Sequence, residues 1–311
     1  MPEQELGGAA ILSVGYQTRD GVVNAAARWM RAAGPPLVLV LALQGACGVA
    51  IAHHAARLSV LTAALTIVYF VPDGVGRRLV NDYQDYRNGL DGPGNVRPDS
   101  ALALGLDMRM VGQAGVVAAG VAAAIAIWVA LITEPWLLLL GPVFLAVYFL
   151  YAGGPRPLGY IALGELMDFI VTGTAPTLLV VFVNARSVSV ASVVACVGVG
   201  LLFMALMLHN NARDIGKDAL AGKRTLPQVI SQGTVKALYT ACLSGYYLTV
   251  LGFGLAARLP WALLPLITLP WTVRLAMRVM RHDLGEQMVS WKWLYYLLVA
   301  NLCLFVVGCF A

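Results

Sequence analysis

Asn81-Asp82-Tyr83-Gln84-Asp85-Tyr86-Arg87-Asn88-Gly89-Leu90-Asp91 gathers three carboxylates beside the carboxamide of Asn81 at the end of a long apolar run. A second polar knot, His209-Asn210-Asn211-Ala212-Arg213-Asp214-Ile215-Gly216-Lys217-Asp218, closes another apolar run much later. Helical spacing sets Asn81 with Asp85, Asp82 with Asp85, and Asp214 with Asp218 on shared faces. Mg²⁺ takes hard oxygen ligands, keeps water, and is commonly completed by substrate phosphates. Carboxylates divided between two clusters therefore point to a diphosphate held between two halves.

The runs around the knots decide the fold. The chain has 311 residues, 59% of them hydrophobic and only 12% charged, with a mean hydropathy of +0.77, outside the balance of soluble proteins. A membrane helix needs roughly 20 residues to cross about 30 Å of hydrocarbon. Nine stretches meet that need approximately, at 35–55, 58–82, 109–132, 135–152, 160–184, 189–210, 235–256, 260–278 and 291–310. The expected fold is all-α: one integral-membrane domain over 1–311, with about nine transmembrane helices around a central cavity. Loops 2–3 and 6–7 would cap it on the cytoplasmic side.

With the N-terminus inside, 18 of the 21 Lys and Arg residues fall on cytoplasmic segments, leaving Arg57, Arg186 and Arg258 outside. This positive-inside bias sets a multi-pass cell-membrane protein with both knots facing the cytoplasm. The basic residues also have a plainer use, anchoring loops at anionic lipid. Their clustering beside carboxylates favours a site, and no nucleic-acid partner is expected. No cleavable signal peptide is evident, because charges surround the one short apolar patch of the first thirty residues. Val22, Val23, Ala26, Trp29, Met30 and Ala33 recur at helical spacing, so 1–33 reads as an interfacial leader or, failing that, a frayed polar tail. The five cysteines show no CxxC spacing and read as small core residues.

Several polar residues stand where apolar ones are expected. Asp73, Arg77 and Arg78 precede the first knot within a span, where charge is costly. Asp73 and Arg77 either neutralise each other at i,i+4, or Arg77 or Arg78 reaches the cavity of Asp82. Glu165 and Asp168 lie inside the fifth span, facing the cavity or pairing with Arg156. After Asp91 comes Gly92-Pro93-Gly94-Asn95-Val96-Arg97-Pro98-Asp99-Ser100, a turn-rich loop that carries Arg97. Gly222-Lys223-Arg224-Thr225-Leu226-Pro227 follows the second knot, with basic groups that suit phosphate oxygens. A knot trailed by a basic Gly/Pro loop thus occurs twice, a weak echo of duplicated halves.

At these residues the chain resembles the UbiA superfamily of intramembrane prenyltransferases over nearly its whole length. Within it, the form Asn81-Asp82-x-x-Asp85 with the last acid displaced to Asp91 is most similar to the 1,4-dihydroxy-2-naphthoate prenyltransferase branch of menaquinone synthesis. Gly153-Gly154-Pro155-Arg156-Pro157-Leu158-Gly159-Tyr160 with Leu163-Gly164-Glu165, and Asn210-Asn211-x-Arg213-Asp214 leading to Gly222-Lys223-Arg224-Thr225-Leu226, resemble it too. The chain departs from the family at Asp73, Arg77 and Arg78, in its shorter Arg97 loop, and at Pro227.

The resemblance implies that Asn81, Asp82, Asp85, Asp214 and Asp218, supported by Asp91, bind two Mg²⁺ ions that bridge the diphosphate of a polyprenyl donor. Asp82, Asp85, Asp214 and Asp218 would be the catalytic acids. It implies Arg97, Arg213, Lys217, Lys223 and Arg224 as holders of the leaving group. Tyr151, Arg156, Glu165 and Asp168 are candidates for orienting an aromatic acceptor or taking a proton. Two other readings remain at this point: a membrane terpene cyclase of the same superfamily, which needs no acceptor, and a transporter using Asp73, Arg77 and Arg78 as a relay.

Overall fold

A computed structural model describes residues 25–91, 100–152, 158–220, 222–281 and 291–311. Its elements are helical almost throughout: α1 (Ala25–Ala32), α2 (Pro35–Ala55), α3 (Val60–Arg87), α4 (Met108–Ile132), α5 (Gly141–Ala152), α6 (Gly164–Met167), α7 (Ala175–Ala185), α8 (Val190–Arg213), α9 (Ile215–Leu220), α10 (Leu226–Val229), α11 (Gln232–Ala256), α12 (Leu269–Arg281) and α13 (Trp291–Phe310). A π-helical turn, Asp168–Thr174, joins α6 to α7, and 3-10 segments lead into α5 and α12.

Among the described residues eight helices are long and apolar enough to cross a membrane. The protein is a multi-pass membrane protein. The fourth expected span, 135–152, divides into a 3-10 helix (Pro135–Leu140) and the 12-residue α5. At about 2 Å and 1.5 Å per residue the two together extend about 30 Å, so the count of spans turns on this one split segment.

Local chemistry fixes where the long helices start. Pro35 and Pro36 open α2, and Ser59, Asp107, Ser189 and Ser231 each accept a backbone N–H at the head of α3, α4, α8 and α11. Each satisfies a donor that the helix itself leaves unpaired. The helices end later than hydropathy places them. α3 continues to Arg87 and α8 to Arg213, so each knot begins on the last turns of its span rather than in the loop beyond.

α2 packs against α3, α7 and α13, while α8 packs against α11 and the π-helical turn. Phe70, Phe203, Phe253 and Leu297 are fully buried in the shared core. α1 covers the other side of α3: Ala32 shares a small core with Leu79, Ala101, Met108 and Val111, and Arg28 Nη1 donates to the Gly105 carbonyl at 3.5 Å. Cys47, Cys196, Cys242 and Cys309 are buried, and all five cysteines are free thiols, matching the core reading.

The π-helical turn lies close against α8. A Cβ at Gly173 would stand 2.5 Å from Gly200 Cα, and one at Gly200 would stand 2.6 Å from the Phe169 carbonyl oxygen. Backbone on the far side cannot move aside cheaply. Gly200→Ala is therefore expected to destabilise the protein by about 1–3 kcal/mol, read as a lower thermal midpoint in detergent. Gly120→Ala, inside α4 where a Cβ meets nothing within 4 Å, should not lower it, since alanine is the better helix former.

Candidate active site

The two knots are built alike. At the first, Asn88 ends α3 and Gly89 takes φ +75°. Gly89 N–H donates to the Tyr86 carbonyl, and Leu90 N–H to that of Asp85 at 2.9 Å. At the second, Gly222 takes φ +69°, its N–H donates to the Ala219 carbonyl, and Lys223 N–H donates to that of Asp218 at 2.9 Å. Both are Schellman closures, which need a left-handed residue and hence favour glycine. In each, the acid four residues before the glycine supplies the carbonyl that receives the returning chain. The reversal also brings Asp91 back, its N–H lying 3.3 Å from the Asp85 carbonyl.

Both knots lie at one end of the bundle, joined through Tyr160. Asn88 Nδ2 donates to the Tyr160 hydroxyl at 3.5 Å, and the Tyr160 carbonyl accepts Arg224 N–H at 3.2 Å. Ala162 N–H then donates to the Arg224 carbonyl at 2.8 Å, closing a short parallel bridge between Ile161 and Arg224. The sequence marks Tyr160 only as part of a motif and not as a link, because its partners are 72 and 64 positions away.

Within the first knot Asn81 Nδ2 donates to Asp85 Oδ2 at 2.9 Å, as i,i+4 spacing requires. Asp82 is turned into the protein. It is fully buried, its Oδ2 accepts Ala101 N–H at 2.8 Å, and its Oδ1 lies 3.6 Å from Arg78 Nε. Asp91 is buried. In the second knot Arg213 grips Asp214 with two hydrogen bonds of 2.8 and 2.6 Å, and Lys223 Nζ lies 3.3 Å from Asp218 Oδ1. Lys217 is half-buried and Arg224 exposed.

Glu165 is almost completely buried. Its Oε1 accepts Asn211 Nδ2 at 2.8 Å and Leu226 N–H at 3.2 Å. It therefore ties α6 to the helix of the second knot and to the start of α10. Asp168 accepts the Thr172 hydroxyl at 2.8 Å. Arg77 pairs with Asp73 at 2.8 Å, so of the readings left open for these charges, neutralisation within α3 holds for Arg77, and Arg78 is the one that faces Asp82. Arg97 and Arg156 lie outside the described residues, as does the side chain of Tyr151.

Among the described residues no three of Asp, Glu, His and Cys converge tightly enough to hold a metal ion unaided. What the knots offer is hard oxygen donors in two groups, each beside a cation. That donor set fits Mg²⁺ where further oxygens come from a bound phosphate.

A multi-pass all-α bundle with matched carboxylate knots at one end defines the class: an intramembrane enzyme acting at the end of its own helices. Residues 48–302 match the UbiA prenyltransferase family, and the chain belongs to that family. It is 29% identical over 269 residues to the "1,4-dihydroxy-2-naphthoate octaprenyltransferase" of Mycobacterium tuberculosis, covering 85% of this chain and 89% of that one. Its fold is similar to the structure of a UbiA homolog from Aeropyrum pernix K1, with a TM-score of 0.65 at 17% identity, covering 86% of this chain and 97% of that one. A UbiA homolog from Archaeoglobus fulgidus, solved bound to GPP and Mg²⁺, superposes with a TM-score of 0.59 at 14% identity over 91% of this chain and 98% of that one. The chain is a prenyltransferase.

Proposed function

We propose that the protein transfers a polyprenyl group from a prenyl diphosphate to 1,4-dihydroxy-2-naphthoate or a closely related aromatic ring, using two Mg²⁺ ions at the cytoplasmic face. The observation that carries this reading is the pair of matching knots joined at one end of the bundle. Support for the acceptor comes from the name of the mycobacterial relative. Support for the donor and metal comes from the GPP and Mg²⁺ in the archaeal structure. The distribution of Lys and Arg supports the orientation.

In this reading Asn81, Asp85, Asp91, Asp214 and Asp218 are the oxygen donors to Mg²⁺, and Asp82 sets the first knot from behind. Bound Mg²⁺ neutralises the charge that develops on a leaving diphosphate. Arg213, Lys217, Lys223 and Arg224, with Arg97, hold the diphosphate oxygens. The allylic C–O bond breaks with its electron pair leaving on the diphosphate, and the ring carbon attacks the cation. For a carboxylated ring carbon, the product forms with loss of CO₂. Glu165 holds the loop of Lys223 and Arg224 against α8 while these steps proceed.

The test is a mass-spectrometric product analysis of the purified protein with Mg²⁺ and several prenyl diphosphates, each with and without dihydroxynaphthoate. The expected outcome is a prenylated naphthoid product only when both substrates are present. Cyclic hydrocarbon or terpene alcohol formed from the diphosphate alone would instead establish a cyclase.

A further inference from the structure

Beneath the knots a chain of polar groups crosses from α3 to the π-helical turn, and the donor-binding residues do not use it. Asp73 Oδ2 holds Arg77 Nε at 2.8 Å, and the Tyr69 hydroxyl lies 3.5 Å from Asp73 Oδ1. Arg77 Nη1 donates to Thr172 Oγ1 at 3.3 Å, and the Thr172 hydroxyl donates to Asp168 Oδ1 at 2.8 Å. Fully buried Gln44 pins the same turn from α2. Its Nε2 donates to the carbonyls of Thr172 and Gly173 at 2.6 and 2.9 Å and to Thr177 Oγ1 at 3.1 Å. A π-turn frees carbonyls from the regular ladder, and such turns concentrate at functional sites. Here a side chain dedicated to them holds the turn in place.

The charges are shared across the two elements rather than matched one to one. Arg77 pairs with Asp73 directly and reaches half-buried Asp168 through Thr172, while Asp168 also faces the charges of Glu165 and Lys223. Charge at membrane depth is costly and marks function. The depth fits one part of the reaction. Arg77 lies one turn, about 6 Å, on the bilayer side of Asn81, and Asp168 lies one turn deeper than Glu165. A diphosphate held at the knots with its apolar tail towards the bilayer would set its reacting carbon on the side of Arg77 and Asp168.

We propose that Asp168 takes the proton from a hydroxyl of the aromatic acceptor, and that Thr172, Arg77 and Asp73 are positioning residues that aim its carboxylate. The inference rests on the prenyl-transfer reading above. The ring O–H bond breaks, its electron pair stays on oxygen, and the proton moves to the Asp168 carboxylate. The ring carbon beside that oxygen gains electron density and attacks the allylic cation. After the new C–C bond forms and the carboxylate leaves as CO₂, the proton returns to the ring oxygen.

The experiment uses the full-length protein with Mg²⁺, farnesyl diphosphate and dihydroxynaphthoate. Asp168→Asn should lower kcat for the aromatic product about 10²- to 10⁴-fold, the range of positioned proton transfer, with farnesyl diphosphate affinity unchanged. Thr172→Val should lower kcat about tenfold with both KM values and the thermal midpoint unchanged, and Thr172→Ser should restore it. Asp168→Asn or Thr172→Val enzymes with wild-type kcat would overturn the proposal, as would losses matched by lost farnesyl diphosphate binding. Failure of the unaltered protein to prenylate the ring would overturn the acceptor reading and this one together, whereas an active parent with an unimpaired Asp168→Asn variant removes this one alone.

Discussion

Asp85→Ala is expected to lower prenyl transfer by about 10³-fold or more while leaving the helical bundle intact. Losing one preorganised contact to developing charge commonly costs 10²- to 10³-fold, and Asp85 sits at the centre of its knot. Its carboxylate is bonded to Asn81, and its carbonyl receives both Leu90 and Asp91. Alanine keeps the carbonyl and hence the Schellman closure, so the loss falls on the carboxylate alone. Asp214→Ala should act in the same direction and also release Arg213 from its two hydrogen bonds. The checks are Mg²⁺-dependent diphosphate release and farnesyl diphosphate affinity measured as Mg²⁺ is varied. Release surviving in both variants would remove the carboxylates from catalysis.

Contacts spaced by a helical turn were legible in the sequence, and contacts across the fold were not. Asn81 with Asp85 and Asp73 with Arg77 are both i,i+4 pairs that spacing alone predicts. The repeated knot could have been read more sharply, because Asp85 and Gly89 share their spacing with Asp218 and Gly222. Glycine closing each helix is the Schellman signature, and the acid four residues before it marks the two knots as alike. Asp82 escaped because its partner Ala101 lies 19 residues on, across a loop whose course hydropathy does not record. Glu165 escaped likewise, bonded to Asn211 and Leu226 at separations of 46 and 61. The π-turn has no sequence signal of its own. It depends on Gln44 from another helix and on two glycines that let α8 approach, so it becomes visible only when the helices are packed.

The distinction between Asp85 and Asp82 leads to a second large effect, of a different kind. Asp82→Ala is expected to unfold the first knot rather than merely silence it. The carboxylate is fully buried, with one oxygen on Ala101 N–H and the other facing Arg78. Removing one partner of a buried charge pair typically costs about 3–5 kcal/mol, against a total stability of roughly 5–15 kcal/mol. The thermal midpoint in detergent should fall by roughly 10 °C, and the segment from Ser100 to Leu106 should become open to protease. Asp82→Asn keeps an oxygen for Ala101 N–H and loses only the charge opposite Arg78, so its midpoint should lie between those of Asp82→Ala and the parent. A ligand role predicts another pattern: both variants melting like the parent, with Mg²⁺ affinity lost equally in each. That pattern would return Asp82 to the set of metal donors, because a side chain whose removal leaves the loop in place was not holding it.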